Sequence, residues 1–211
     1  MIMKKLTILG KRDSVITMII DNLESINLYP TIEIINNLGL PIEEDFINPK
    51  FITLLKPELE NYQYCFLGVT NPIFKKKVLN VFKIKINNFI NLINKNSSIS
   101  TTTKLGNGVL LNSMVSIAAH STIGNFVTIN RNSSIGHHTK INDFVTINPG
   151  VNVAGHCIIG EGSTLGMGVN VLDGVSIGKN TIIGAGSLVT KDLPDNVIVY
   201  GSPCKIIRDN V

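Results

Sequence analysis

Every sixth residue from Ile93 to Val189 is Ile, Leu or Val, seventeen positions without an exception. A fixed short period sustained over such a stretch is the mark of a stacked repeat. Counting Ile93 as the first position of a hexad, the fifth position is small or medium from Ser97 through Thr139 and Cys157 to Ser187, and closes at Leu193. Positions five and one lie two residues apart, so in a strand both face the same way, and here that way is inward. The second position is often Gly, as at Gly106, Gly124, Gly136 and Gly160, or Asn, as at Asn112, Asn130 and Asn148. Both residue types accept positive φ, which predicts a sharp corner there. Strand and corner recurring every six residues predict a three-sided coil of eighteen residues, a parallel β-helix of hexapeptide repeats. Seventeen hexads make just under six coils, a prism about 30 Å tall at about 4.8 Å per coil. A β-sandwich needs irregular turns and strand lengths, and no hexad is interrupted by a loop. Periodicity alone leaves the hand of the coil open.

The chain ahead of the repeat is built differently. Residues 1–85 have no hexad period and read as a small α/β domain; residues 86–211 form the β-helix and its tail. Lys5–Leu9 and Thr31–Ile35 are predicted strands, and residues 64–68 a third. Between the first two, residues 13–26 carry apolar side chains at helical spacing, with Asp13 as a possible cap. Pro72–Phe82 is amphipathic. Strand–helix–strand order argues for a parallel sheet, whose ligands sit at the carboxyl ends of its strands. After Gly10 comes Lys11-Arg12-Asp13-Ser14 rather than a run of glycines, which argues against a dinucleotide. Arg12 is either a phosphate partner or a solvated surface arginine.

Composition narrows the function classes. The net charge is +4, with lysines scattered and aromatics few, a weak footprint for nucleic acid. No apolar run reaches the roughly 18 residues of a membrane helix, so no membrane insertion is expected. The opening MIMKKLTILG reads as a buried first strand rather than a signal peptide. Three cysteines without motif spacing, Cys65, Cys157 and Cys204, suggest free thiols and a cytoplasmic protein.

The four histidines fall into register. Eighteen residues separate His120 from His138 and His138 from His156, which places the three in one outward ladder with neighbours about 5 Å apart. Imidazoles that close resist being charged together, so low and coupled pKa values are expected. His138, at position four, reads as the first outward strand residue. His137, at position three, stands at the corner, between Ala119 and Gly155 in its own column, and those small neighbours leave room for a ligand. Such a ladder is equally expected of a solvated face or a subunit interface.

With SSIGHH followed eighteen residues later by AGH, and with IGAGSLVTKDLP and GSPCK near the end, the chain resembles the sialic acid O-acetyltransferase and UDP-4-amino-sugar N-acetyltransferase family. The resemblance covers nearly the whole chain and is strongest over residues 123–205. It implies a left-handed β-helix acyltransferase with a Rossmann-like N-terminal domain. It also implies a homotrimer whose active sites lie between neighbouring β-helices, acetyl-CoA as co-substrate, and an amino-sugar or nucleotide-sugar acceptor in surface-glycan synthesis. By the same matching, His137 is the general base, and His138 stands where the family usually keeps an acidic residue. Gly155 offers the oxyanion its backbone N–H, while Thr146, Met167, Ala185 and Lys205 fall at acetyl-CoA positions. Lys205 is equally a solvated tail lysine. Family members often have His in place of Thr146, and Ala in place of Cys204. Arg12, Asn36 and Asn37 occupy the acceptor-binding regions, where relatives have a Gly-rich loop and paired aspartates. A zinc site like that of hexapeptide carbonic anhydrase-like proteins would need a third histidine where Glu161 stands, so no metal is expected. The rival reading is a catalytically silent trimeric scaffold or binding module.

Overall fold

The computed structural model describes residues 3–10, 12–35, 52–55 and 63–210, with backbone alone for Asp13 and residues 52–55. From Leu92–Ile93 to Leu188–Val189 the chain makes seventeen strands of two residues each. They stack into three parallel sheets. Sheet I begins at Leu92–Ile93 and includes Thr128–Ile129 and Thr146–Ile147. Sheet II includes Ser134–Ile135, Asn152–Val153 and Asn170–Val171, and sheet III includes Thr122–Ile123, Lys140–Ile141 and Ile158–Ile159. Register advances by eighteen, as in Ser134 against Asn152 and Ile135 against Val153. The solenoid of about six turns read from the period is therefore present. Its core is the predicted set: Ile117, Ile123, Ile135, Ile147 and Leu165 from position one interleave with Val115, Val127, Val145 and Val169 from position five, all buried.

The corner differs from the sequence reading. Positive φ falls at position four, at Met114, His120, Phe126, Asn132, His138, Phe144 and His156 and at Gly150, Gly162 and Gly168, and not at position two. His138 is accordingly a left-handed turn residue, φ 56°, rather than the first residue of a strand. Position two favours glycine for another reason, namely proximity of the next coil. A Cβ on Gly136 would lie 2.4 Å from the carbonyl carbon of Ala154, and one on Gly160 2.3 Å from that of Gly178. Where position two is Asn, the side chain bonds along the stack: Asn22 donates to Asn112 (2.8 Å), and Asn112 to Asn130 (2.9 Å).

The N-terminal part holds a four-stranded parallel sheet. Its strands are β1 (Lys5–Leu9), β2 (Thr31–Ile35), β3 (Ile52–Leu55) and β4 (Cys65–Leu67), in the order β3-β2-β1-β4. β3 had not been read from the sequence. Helix α1 (Asp13–Ser25) follows β1, with Arg12 rather than Asp13 at the N-cap position and no side-chain cap. Helix α2 (Pro72–Phe82) has the predicted bounds: Asn71 accepts from the N–H groups of Ile73 and Phe74, Pro72 opens the first turn, and Lys83 ends it in a left-handed conformation.

This unit rests directly on the solenoid. Leu92 and Leu110 share an apolar cluster with Leu6, Ile8, Ile16, Ile19 and Phe66. Phe126 packs with Leu9, Val78 and Phe82. Lys75, fully buried on α2, donates to the Phe126 carbonyl (2.6 Å) and to Thr128 Oγ1 (3.1 Å), and burial pulls its pKa down to about 7. At the far end, strand Val197–Gly201 extends sheet I in parallel, and Cys204–Asp209 folds back on it antiparallel. Among the described residues no helix is long and apolar enough to cross a membrane.

Candidate active site

The prism has three edges, each a column of turns. All four histidines of the chain lie on the edge where sheet II passes into sheet III. The ladder is as the spacing predicts. His120 and His138 have ring centroids 4.9 Å apart, and His138 stacks on His156 at 5.1 Å. Desolvation, then the charges of His120, His156 and His137, hold His138 below the ordinary histidine range.

His137 departs from the ladder. It meets His138 Nδ1 to Nδ1 at 3.1 Å and sits edge-on to His156 at 4.9 Å. The other side of its ring faces the backbone of Gly155, one coil on. A Cβ there would lie 2.8 Å from His137 Cε1 and 3.0 Å from Nε2. Only glycine leaves this ring its place. The Gly155 carbonyl accepts from Gly174, while its N–H donates to nothing among the described residues. Sequence reasoning thus paired His137 with Gly155, and the fold brings them into contact. It missed Asp173, two coils above His137 in the same column, whose Oδ1 would lie 2.9 Å from that same absent Cβ. The signal was available: Asp173 is His137 plus twice eighteen.

Cys157, close to this edge, does not compete as nucleophile. Cys157 is buried, with Sγ directed at the carbonyls of Leu172 (3.1 Å) and Gly155 (3.4 Å), and burial raises its pKa. His137, His138 and His156 present ring nitrogens all within 4.8 Å of one another, a grouping able in principle to hold a metal ion. Stacking of His138 on His156, 16° from parallel, directs their in-plane lone pairs side by side rather than at one point. Glu161 is elsewhere, paired with Lys76 at 2.7 Å on the edge between sheets III and I.

The residues matched to acetyl-CoA positions fall on another face. Met167 and Ala185 are neighbours in one column on the edge between sheets I and II. The hairpin carrying the exposed Lys205 is tied to the same coil, by Gly184 N–H to the Val199 carbonyl (2.8 Å) and Gly201 N–H to Ser187 Oγ (3.1 Å). Thr146, on sheet I, is buried and donates its hydroxyl to the Thr70 carbonyl (2.9 Å). Within one chain, therefore, the histidine edge and the Met167–Ala185 edge are separate. Arg12 is exposed at the start of α1, past the end of β1. Asn36 and Asn37 lie outside the described residues.

Comparison with known proteins agrees with this architecture. Residues 156–191 match the family model described as bacterial transferase hexapeptide (six repeats). No curated protein matches the sequence. Among solved structures, PerB from Caulobacter crescentus in complex with CoA and GDP-perosamine is 26% identical, with a TM-score of 0.78 over 96% of this chain and 97% of that one. The acetyltransferase domain of PglB from Neisseria gonorrhoeae FA1090 in complex with acetyl coenzyme A shares 20% identity, with a TM-score of 0.80 over 97% of this chain and 100% of that one. WeeI from Acinetobacter baumannii AYE shares 20% identity, with a TM-score of 0.78 over 96% and 99%. At such identities the likeness to the last two carries the fold alone.

Proposed function

We propose that this chain, a hexapeptide-repeat β-helix protein built like the sugar acetyltransferases, is an acetyl-CoA-dependent acetyltransferase acting on a nucleotide-linked sugar in surface-glycan synthesis. The observation that carries the reading is His137 packed against Gly155, its Nε2 3.0 Å from where a Cβ would stand, on a residue whose N–H donates to nothing among the described residues. PerB, of the same architecture, forms a complex with CoA and GDP-perosamine, which supports the co-substrate and the acceptor class.

The chemistry follows from the two groups. The acceptor nitrogen or oxygen attacks the thioester carbonyl carbon and forms the new bond. The carbonyl electron pair moves onto oxygen, where the Gly155 N–H receives it. His137 takes the acceptor's proton on Nε2. Collapse breaks the C–S bond, and the departing CoA sulfur takes that proton from His137. No acyl-enzyme is required, consistent with the inward position of Cys157.

His138 replaces the carboxylate of relatives by accepting rather than by charge. The 3.1 Å contact between the two Nδ1 atoms holds one proton. His138 is kept neutral by its lowered pKa and accepts from His137 Nδ1–H, which leaves the lone pair of His137 on Nε2, facing Gly155. Completion of the site by a second subunit is our reading of the separate edges. In a homotrimer of left-handed prisms, the Met167–Ala185 edge and the Lys205 hairpin of one subunit bring acetyl-CoA to the histidine edge of the next. The N-terminal part, residues 1–85, is taken as a Rossmann-like acceptor domain, with Arg12 and, by sequence matching alone, Asn36 and Asn37 assigned to the nucleotide. A cytoplasmic site of action fits such substrates.

The test is thiol release from acetyl-CoA by wild type and His137→Ala, across UDP-, dTDP- and GDP-linked 4-amino sugars and free sialic acid. Acceptor-dependent release that collapses in the variant is expected. Release that survives the variant removes His137 as base, and absence of both release and acetyl-CoA binding leaves the silent scaffold.

A further inference from the structure

The side chains on the coil edges include several carboxylates with a structural duty. Asp143 accepts from the Asn125 N–H (2.7 Å), Asp192 from the Ser176 N–H (2.8 Å), and Asp195 from the Lys179 N–H (2.6 Å). Each caps a backbone donor of a neighbouring coil. Asp173 does not: among the described residues its carboxylate accepts no hydrogen bond and pairs with no cation, and the side chain is exposed. It points instead into the space that a side chain on Gly155 would fill, 2.9 Å from the absent Cβ, while His137 Nε2 enters the same space from below at 3.0 Å. The two atoms are therefore within about 6 Å of each other, a span closed by a single hydrogen-bonding atom placed between them.

We propose that Asp173 is a specificity-determining residue that selects an amine over a hydroxyl as the acceptor. This rests on the acetyltransferase reading above and deepens it. The space beside Gly155 is walled by two acceptors, the Nε2 lone pair of His137 and the carboxylate of Asp173. An amine nitrogen brings two hydrogens and one lone pair: one hydrogen meets His137, the other meets Asp173, and the lone pair is free for the thioester carbon. A hydroxyl brings one hydrogen. With it on His137, an oxygen lone pair faces the carboxylate, and an acceptor is left unmatched. The carboxylate also favours the positive charge that grows on nitrogen as the N–C bond forms. After transfer the amide keeps one N–H, the one held by Asp173, while the other proton has gone through His137 to the CoA sulfur. Sites that hydrogen-bond a substrate group discriminate strongly against analogues that lack it.

The experiment uses the full-length protein and matched pairs of GDP-, UDP- and dTDP-linked 6-deoxyhexoses that differ only in carrying an amine or a hydroxyl at C4. kcat/KM is measured for wild type, Asp173→Asn and Asp173→Ala, alongside acetyl-CoA binding by thermal shift. Wild type is expected to favour the amine by about a hundredfold or more, and Asp173→Ala to lower kcat/KM for the amine by about tenfold or more, narrowing the ratio, with acetyl-CoA binding and melting temperature unchanged. A merely structural aspartate would not move that ratio. An unchanged ratio in Asp173→Ala, or a wild type that acylates the hydroxyl as readily, overturns this inference alone. A wild type that neither transfers to any acceptor nor binds acetyl-CoA overturns the acetyltransferase reading, and this inference with it.

Discussion

His137 and His138 are adjacent in the chain and meet again through space, Nδ1 to Nδ1 at 3.1 Å with their rings 86° apart. The left-handed backbone at His138 is what turns its ring back on its predecessor. Replacing the acceptor tests this relationship. In His138→Phe the tautomer of His137 loses its partner, and kcat is expected to fall about tenfold or more with KM for acetyl-CoA little changed. His138→Glu restores a negative charge beside His137, so the acid limb of kcat/KM against pH is expected to move to higher pH. pH–rate profiles of the three proteins check both.

Removing the base itself is the stronger test. His137→Ala is expected to lower kcat by about 10² to 10⁴, the range for a positioned general base. His137 is exposed, so the melting temperature is expected to stay within about 2 °C of wild type. Steady-state kinetics and a thermal melt on the same preparation separate lost chemistry from lost folding.

Lys75 makes stability depend on pH in an unusual direction. Its pKa is lowered by burial to about 7, against 10.5 for an unburied lysine. Between those values the unfolded chain binds the extra proton, so stability rises with pH through that window; the penalty is fully present below about 7. Denaturant titrations are expected to show a slope of at most about 1.4 kcal/mol per pH unit from pH 7 to 10 that Lys75→Met lacks.

The two glycine classes separate by cost. Gly136→Ala drives a Cβ to 2.4 Å from the Ala154 backbone, whereas Gly168, φ +68°, has nothing within 4 Å. Position four also accommodates Phe126 and His156 at similar φ. Gly168→Ala is expected to cost about 1 kcal/mol, and Gly136→Ala about 3 kcal/mol or more. Urea denaturation of both variants checks the order.

Much of this was legible in the residues because a solenoid converts sequence spacing directly into spatial neighbourhood. The inward faces, the stacking of His120, His138 and His156, and the contact of His137 with Gly155 all follow from counting. What escaped follows from properties that counting by itself omits. The backbone conformation of position four is set by how the turn closes, and residues as unlike as Met114, Phe126 and His138 adopt it, so composition did not mark it. β3, Ile52-Thr53-Leu54-Leu55, is only four residues long, too short for alternation to mark it, although Pro49 and Pro57 flank it. Asp173 does not follow from the spacing of adjacent coils: Gly155, having no side chain, lets groups two coils apart face one space.

The stacking register has a consequence for how such a chain can change. Because eighteen residues return a side chain to the same column, each residue's address is its number modulo eighteen. Inserting or deleting a whole coil lengthens or shortens the rod and leaves every address intact. Losing a single hexad between His138 and His156 would preserve the inward pattern and the core, yet rotate everything beyond it by one face. His156, Gly155 and Asp173 would then leave the edge that holds His137. The fold tolerates a hexad as its unit of variation, whereas the chemistry tolerates only three at a time.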